Sequence, residues 1–405
     1  MNQATHLCRS QRGFTLLELV VVMGILSGFL MMLVQLVDSG LRLFQEGEVG
    51  QQLADRTAHA QRIVTEELRQ LRGSATGRDR ESVDDRLVVQ RLPIGLPERP
   101  EPDATRVQVL RAAIHLPEER ERPLLEAVLA TRIAVENPNM TPAAVDLEVQ
   151  KRSPLEPLRG IGQMLLLPWR QENADEAFLE LRAGWFLPGQ EIAAGENRIV
   201  DPFTVVVPGG PELPGIAVFN NTIPILRDLL HVEFAFWSQR TVSWGNDAAP
   251  TAGGEGAPER IWDSARGGWL IDAYSGGEWS LDRGPNSLGD PLDDIQPHAI
   301  LVRIVVAQPG DLAPEGLLAA EITSSDTSLR LVDGERFPGE RDGGWIKVRG
   351  EWLHYDEREG DTLIGLRRGQ RSTKALGHAA GSRVHVGRSV EFVVPVAHAK
   401  DDWNG

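Results

Sequence analysis

Cysteine is nearly absent: Cys8 is the single one in 405 residues. A lone cysteine closes no internal disulfide, and zinc ribbons and Cys-x-x-Cys redox sites are excluded with it. Lysine is almost as scarce. Among 42 basic residues only Lys151, Lys347, Lys374 and Lys400 are lysines, which reflects GC-rich coding more than an arginine-built site. Positive charge is itself in deficit, because 58 acidic residues leave a net charge of −16. A chain of that sign repels phosphate backbones, so no nucleic-acid partner is expected. Catalytic signatures are missing too. There is no GxSxG, HExxH, Walker A loop or strand-to-helix GxGxxG, and Gly160-Ile161-Gly162 lacks the third glycine and reads as a turn. The nine histidines are scattered, none three or four residues from another. Asp282, Asp290, Asp293 and Asp294 offer oxygen ligands but do not follow an EF-hand loop, and they read as a solvated acidic loop. No cofactor, no metal and no enzymatic activity are expected.

What is present is a folded composition, 41% hydrophobic and 25% charged, with 41 Gly and 26 Pro. That glycine and proline content favours short strands and many turns, and the length fits two or three domains. The most informative stretch lies at the start. Phe14 to Val37 reads FTLLELVVVMGILSGFLMMLVQLV, with Glu18 its only ionised side chain. At ~1.5 Å per residue such a helix spans roughly 36 Å, enough for a bilayer core of ~30 Å. Arg9 and Arg12 precede it; basic flanks stay cytoplasmic, so the remainder of the chain faces out. A secretory signal has a shorter apolar core and a small-residue cleavage site, and neither applies. Glu18 is the anomaly, because a carboxylate in a spanning helix costs about 2.5–3.5 kcal/mol and needs a partner or a purpose.

The run Arg12-Gly13-Phe14-Thr15-Leu16-Leu17-Glu18 closely resembles the processing site of type IV pilin-like proteins. The resemblance implies cleavage by a prepilin peptidase between Gly13 and Phe14, N-methylation of Phe14, and a role for Glu18 in assembly. Electrostatics agrees with that implication. Cleavage creates an amine at Phe14 that Glu18 of a neighbouring subunit can neutralise, pairing two charges each costly alone in lipid. Cleavage also removes Arg9, Arg12 and Cys8, leaving a chain without cysteine and with a charge of −18.

The helix is expected to continue to Arg72 and to stop at Gly73-Ser74. Leu41, Phe44, Val49, Leu53, Ala60, Val64, Leu68 and Leu71 form an apolar stripe, and Glu46, Glu48, Asp55, Arg62, Glu66, Glu67 and Arg69 a solvated face. Beyond it, apolar runs predict strands at 85–92, 106–115, 128–135, 164–169, 177–186, 203–207, 215–220, 230–238, 268–274, 298–307 and 390–396. Residues 93–103 and 246–258 are loops by composition.

Three segments extend the resemblance: Leu229 to Trp237, Ile261-Trp262-Asp263-Ser264, and Gln296-Pro297-His298 followed by the Val-rich Ala299 to Val306. Their order is similar to the C-terminal half of J-type minor pseudopilins of type II secretion, with PilW-like pilus proteins the second choice. The chain is longer than that group, and residues 94–228 have no counterpart in it. Residues 327–388 resemble a small all-β module of phage tail proteins, with hairpin turns at Gly350 and at Gly360-Asp361 and one buried and one open face over 345–349.

The fold class implied is α+β: a pilin-like long N-terminal helix on an antiparallel β domain, carrying an inserted all-β module. The divisions are leader 1–13, transmembrane helix 14–37, periplasmic helix half 38–72, β domain 73–316, inserted module 317–388 at the tip of a hairpin, and last strand and tail 389–405. Deleting the module is expected to leave the rest folded, because lengthening a loop costs only ~0.6 kcal/mol per doubling. The expected protein is a structural minor pseudopilin in the inner membrane, single-pass, its C-terminal domain periplasmic. Its expected partners are the prepilin peptidase, other pseudopilin subunits and inner-membrane lipid. A minor pilin of a type IV pilus or competence system, or a pilin-anchored adhesin, is the alternative.

Overall fold

The computed structural model describes residues 16–72, 87–93, 106–170, 177–187, 191–192, 205–206, 212–213, 222–238, 243–244, 259–264, 268–272, 296–307, 316–334, 337, 343–371 and 373–397. The chain divides into two compact units, residues 1–55 and 56–405. In chain order it forms α1 (Leu16–Leu68), β1 (Leu87–Pro93), β2 (Arg106–His115), α2 (Glu118–Glu136), α3 (Pro142–Arg152), β3 (Ile161–Arg170) and β4 (Leu179–Phe186). Three two-residue strands follow, β5 (Glu191–Ile192), β6 (Val205–Val206) and β7 (Glu212–Leu213), then the long β8 (Thr222–Ser238) with β9 (Ser243–Trp244). Next come β10 (Glu259–Asp263), β11 (Gly268–Asp272) and β12 (Ala299–Val306). Short strands β13 (Ser328–Arg330), β14 (Gly344–Val348), β15 (Glu351–Tyr355), β16 (Glu357–Glu359), β17 (Thr362–Ile364), β18 (Arg367–Gln370) and β19 (Val384–His385) precede β20 (Arg388–Pro395). A long apolar N-terminal helix followed by antiparallel sheets makes this an α+β fold of pilin-like kind.

The main sheet runs β11-β10-β1-β2-β3-β4-β8-β12-β20, with β9 paired to β8. Its central strands are buried on both faces and read as near-continuous apolar runs, as in Met164 to Leu167. β8 bends at Asp228, where φ is 56°. Its first half pairs with β4 and its second half with β12, so one strand serves two ladders. β12 pairs β20 antiparallel, from Ala299↔Pro395 to Val306↔Arg388.

The carboxyl-terminal half of α1 buries Ala60, Val64 and Leu68. It ends at Leu68, earlier than expected, because the following backbone joins β2 instead of continuing the helix. His115 N–H donates to Gln70 O at 2.8 Å and Arg72 N–H to Ala113 O at 3.0 Å. Glu67 was expected on the solvated face but is buried. Its spacing explains this, since Glu67 follows Val64 by three and precedes Leu71 by four and so lies on the apolar stripe. It accepts from Arg120 at 2.6 Å and from Trp185 Nε1 at 2.8 Å. Arg56, one helical stretch earlier, pairs with Asp228 at 2.7 Å.

The strand expected over Val128–Val135 is helix α2. Leu125, Leu129 and Ile133 recur every four residues, and with Val145 and Val149 of α3 they form a small separate core. Pro117 precedes α2, and Glu118, Glu119 and Glu121 fill its first turn, where carboxylates suit the helix dipole. Glu121 is buried and accepts from the backbone N–H groups of Arg159 and Gly160 at 2.6 and 2.8 Å, tying α2 to the start of β3. The strand expected over Gly215–Asn220 lies outside the described residues, as do the acidic residues near Asp290.

Between β12 and β20 the chain forms two further sheets, β13-β17-β16 and β18-β15-β14-β19. They enclose a core of their own that includes Leu318, Leu329, Phe337, Ile346, Leu353, Tyr355 and Val384. Arg349-Gly350 turns β14 into β15, and Gly360-Asp361 turns β16 into β17 with Gly360 at φ 57°. One expectation fails here. Lys347 was placed on an open face with Trp345, but it is 1% exposed. Around Lys347 that face lies against the main sheet, whereas Trp345 stays exposed as expected.

Candidate functional site

The amino-terminal half of α1 is a continuous apolar surface. Leu19–Leu41 is long and apolar enough to cross a membrane, with Asp38 its only ionisable residue. Leu19, Val20, Val21 and Val22 are all exposed, and four consecutive residues, about 100° apart, cover every face of the helix. An apolar stripe facing one side points to protein packing, whereas apolarity on all sides points to lipid. Gly24, Gly28 and Gly40 have open space where a Cβ would stand.

Among the residues singled out for processing, Gly13 and Phe14 lie outside the described residues. Glu18 lies in α1, just ahead of Leu19–Leu41, and its side chain is likewise outside the description. Residues 8–34 match the prokaryotic N-terminal methylation motif. The chain therefore carries a type IV pilin-like prepilin signal that runs into its apolar helix. No curated protein and no solved structure matches the chain.

A second constellation, invisible as a motif, sits inside residues 316–387. Glu351 is fully buried and collects five donors. Arg368 grips it through Nε and Nη2, both at 2.8 Å. The backbone N–H groups of Gly369 and Leu376 donate at 3.0 and 3.1 Å, and His378 Nε2 lies 2.7 Å away. Burial pushes the Glu351 carboxyl up, but the bonds from His378, Arg368 and the two backbone N–H groups outweigh it and hold it at about 2. Arg368 also donates to the carbonyls of Thr323 and Leu376. The carboxylate thereby fixes the course of residues 367–378. His378 and Glu351 are 1% and 0% exposed, so this cluster shapes the chain and offers no surface to a substrate. Among the described residues no three His, Cys, Asp or Glu converge to hold a metal ion.

Sequence reasoning missed this cluster because its members lie 17 to 27 residues apart. It also missed Lys347, whose Nζ donates to the carbonyls of Ala177 and Leu230, both at 2.7 Å. A lysine alternating with buried Ile346 and Val348 looks like the solvated side of a strand, and nothing local distinguishes it.

Proposed function

We propose that the chain is a membrane-anchored minor pseudopilin of a type II secretion machine. Its leader, residues 1–13, is cut by a prepilin peptidase between Gly13 and Phe14, and the new amine of Phe14 is methylated. Leu19–Leu41 then holds it in the inner membrane, and the β domain faces the periplasm and assembles with other pseudopilins at or near the filament tip. The observation that carries this reading is the methylation motif at 8–34 leading into a helix apolar on all sides. Support for the secretion subtype comes from the order of segments in the sheet: the aromatic strand β8 lies beside the Val-rich β12, and Trp262-Asp263 ends β10. In this reading residues 317–388 are an insertion between two neighbouring strands, β12 and β20.

Glu18 is the assembly residue. It neutralises the Phe14 amine of an adjacent subunit, and each charge is costly in lipid without the other. Co-expression with an active prepilin peptidase, followed by intact-mass and N-terminal analysis, tests the processing. N-methyl-Phe at the terminus is expected, and a chain still beginning at Met1 would sink the reading. Crosslinking to neighbouring pseudopilins should fall in Glu18→Ala while membrane insertion is retained. Deleting the gene in its host should abolish secretion and leave any surface pilus intact; the opposite outcome moves the chain to a pilus system.

A further inference from the structure

Residues 316–387 have their own core and return to the main sheet within a few residues of where they left it. Such a unit is free to swing unless something fixes it. Four features do. Lys347 donates to Ala177 O and Leu230 O, just past the end of the β4–β8 ladder, which closes at Leu179↔Leu229. It thus reaches two segments of the main sheet from one strand of the smaller sheet. Around it, Trp352 packs with Ala177, Phe178, Leu230, Val305 and Ala307 in one buried cluster. Aromatic contacts reinforce the seam: Phe178 meets His385 edge-on at 4.8 Å, and His231 meets Trp352 at 5.7 Å. Finally, Gly387, with φ 71°, brings the chain back so closely that a Cβ there would stand 2.6 Å from Val305 Cγ1 and 2.7 Å from Leu230 Cδ1.

We infer that Lys347 is a buried clamp that locks residues 316–387 onto the main sheet, so that the two form one rigid, cooperative body. A surface lysine could leave its site with no loss, but this ammonium is dry, and undocking strips two carbonyls of their donor along with it. Arg371 braces the inserted unit internally. Its guanidinium stacks between Trp345 and Trp352, at 4.6 and 4.2 Å from their ring centres. Burial lowers the Arg371 guanidinium to about 10, and the charges of Glu233 and Glu391 on the main sheet only partly offset it. The inserted unit therefore points in one direction set by the sheet. These contacts lie within residues 56–405 and owe nothing to the assembly reading, so failure of either leaves the other standing.

Pulsed electron–electron resonance on the full chain in detergent tests the lock. Nitroxides are placed at Val332→Cys and Ile223→Cys, both exposed positions, in a Cys8→Ser background. One narrow distance distribution is expected, and a broad or multiple distribution overturns the inference. Lys347→Met, close in shape but without the donor, should broaden it at least twofold; a distribution as narrow as the parent's rejects the clamp. If that variant fails to fold, Gly387→Ala provides the second reading. It leaves the lysine in place and should broaden the distribution by forcing the return strand off Val305 and Leu230, and an unchanged width again rejects the lock.

Discussion

Two regions of this chain deal with charge in opposite ways. Leu19–Leu41 excludes it, admitting one ionisable residue in a helix exposed on all sides. Residues 56–397 bury it and compensate: Glu67 meets Arg120 and Trp185, Glu351 meets five donors, and Lys347 meets two carbonyls. Exclusion suits a medium that offers no hydrogen bonds. Compensation suits a packed interior whose partners can be placed by folding, and it makes each partner indispensable. The contrast predicts where a single substitution does most harm.

The largest effect falls on Glu351. Its carboxyl titrates near 2 in the folded chain, below the ordinary unfolded value of about 4.3. A depressed folded value gives stability that is fully present above the unfolded value and is lost as pH falls through the folded one. The loss should therefore run from about pH 4.5 down to about pH 2 and amount to about 3 kcal/mol. Denaturant unfolding across that window should show it in the parent chain and a flatter profile in Glu351→Gln. An equal slope in both chains would remove Glu351 from its central place.

Nearly as large is the cost of a charge where charge is excluded. Leu30 lies at the middle of Leu19–Leu41 and is exposed. Leu30→Arg should weaken membrane insertion by about 3 kcal/mol, on the order of a hundredfold in partition. Carbonate extraction of membranes measures it, and undiminished retention would contradict the reading of this helix as an anchor.

Adjacent glutamates sharpen the comparison at a lower magnitude. Glu67 is buried, whereas Glu66 is exposed. Glu67→Ala should destabilise the chain by about 2 kcal/mol, towards the low end for a broken buried pair because Arg120 can turn to water. Glu66→Ala should stay within about 0.5 kcal/mol. Equal effects in thermal unfolding would mean that the Arg120 and Trp185 contacts contribute nothing.

These differences also mark what could be read in the sequence. The apolar half of α1 and its Gly13-Phe14-Glu18 signal are legible because composition and a short local pattern suffice. Strands β2, β3, β8 and β12 are legible because their apolar runs are contiguous. Helix α2 was misread because Val128 to Val135, taken alone, is as apolar and β-branched as a strand. Only over 118–136 does the four-residue recurrence of Leu125, Leu129 and Ile133 become evident. Glu67 was legible in its spacing on the apolar stripe but was misread as solvated, whereas Lys347 and Glu351 were illegible for a different reason. Whether a charged residue is buried depends on donors and acceptors supplied by other elements, and one sequence carries no local trace of them.

The smallest effect probes the exposed half of α1 from the other side. Gly28 sits within the apolar helix with no atom within 4 Å of the place a Cβ would take. In a helix interior glycine is less favourable than alanine by about 0.8–1 kcal/mol. Gly28→Ala should therefore raise the stability of the helix in detergent by no more than about 1 kcal/mol, read as higher helicity in circular dichroism with an unchanged unfolding transition of residues 56–405. A loss of helicity would mean that the space is occupied in the single chain. The same variant separates the chain alone from the assembled chain. Should Gly28→Ala keep its helicity and its membrane retention yet crosslink less to neighbouring subunits, the open space at Gly28 is filled by a neighbour's helix, because small residues let helix backbones approach closely in lipid. Unchanged crosslinking would place the helix–helix contact on another face, such as that of Gly40, which is equally open and about 120° round the helix from Gly28.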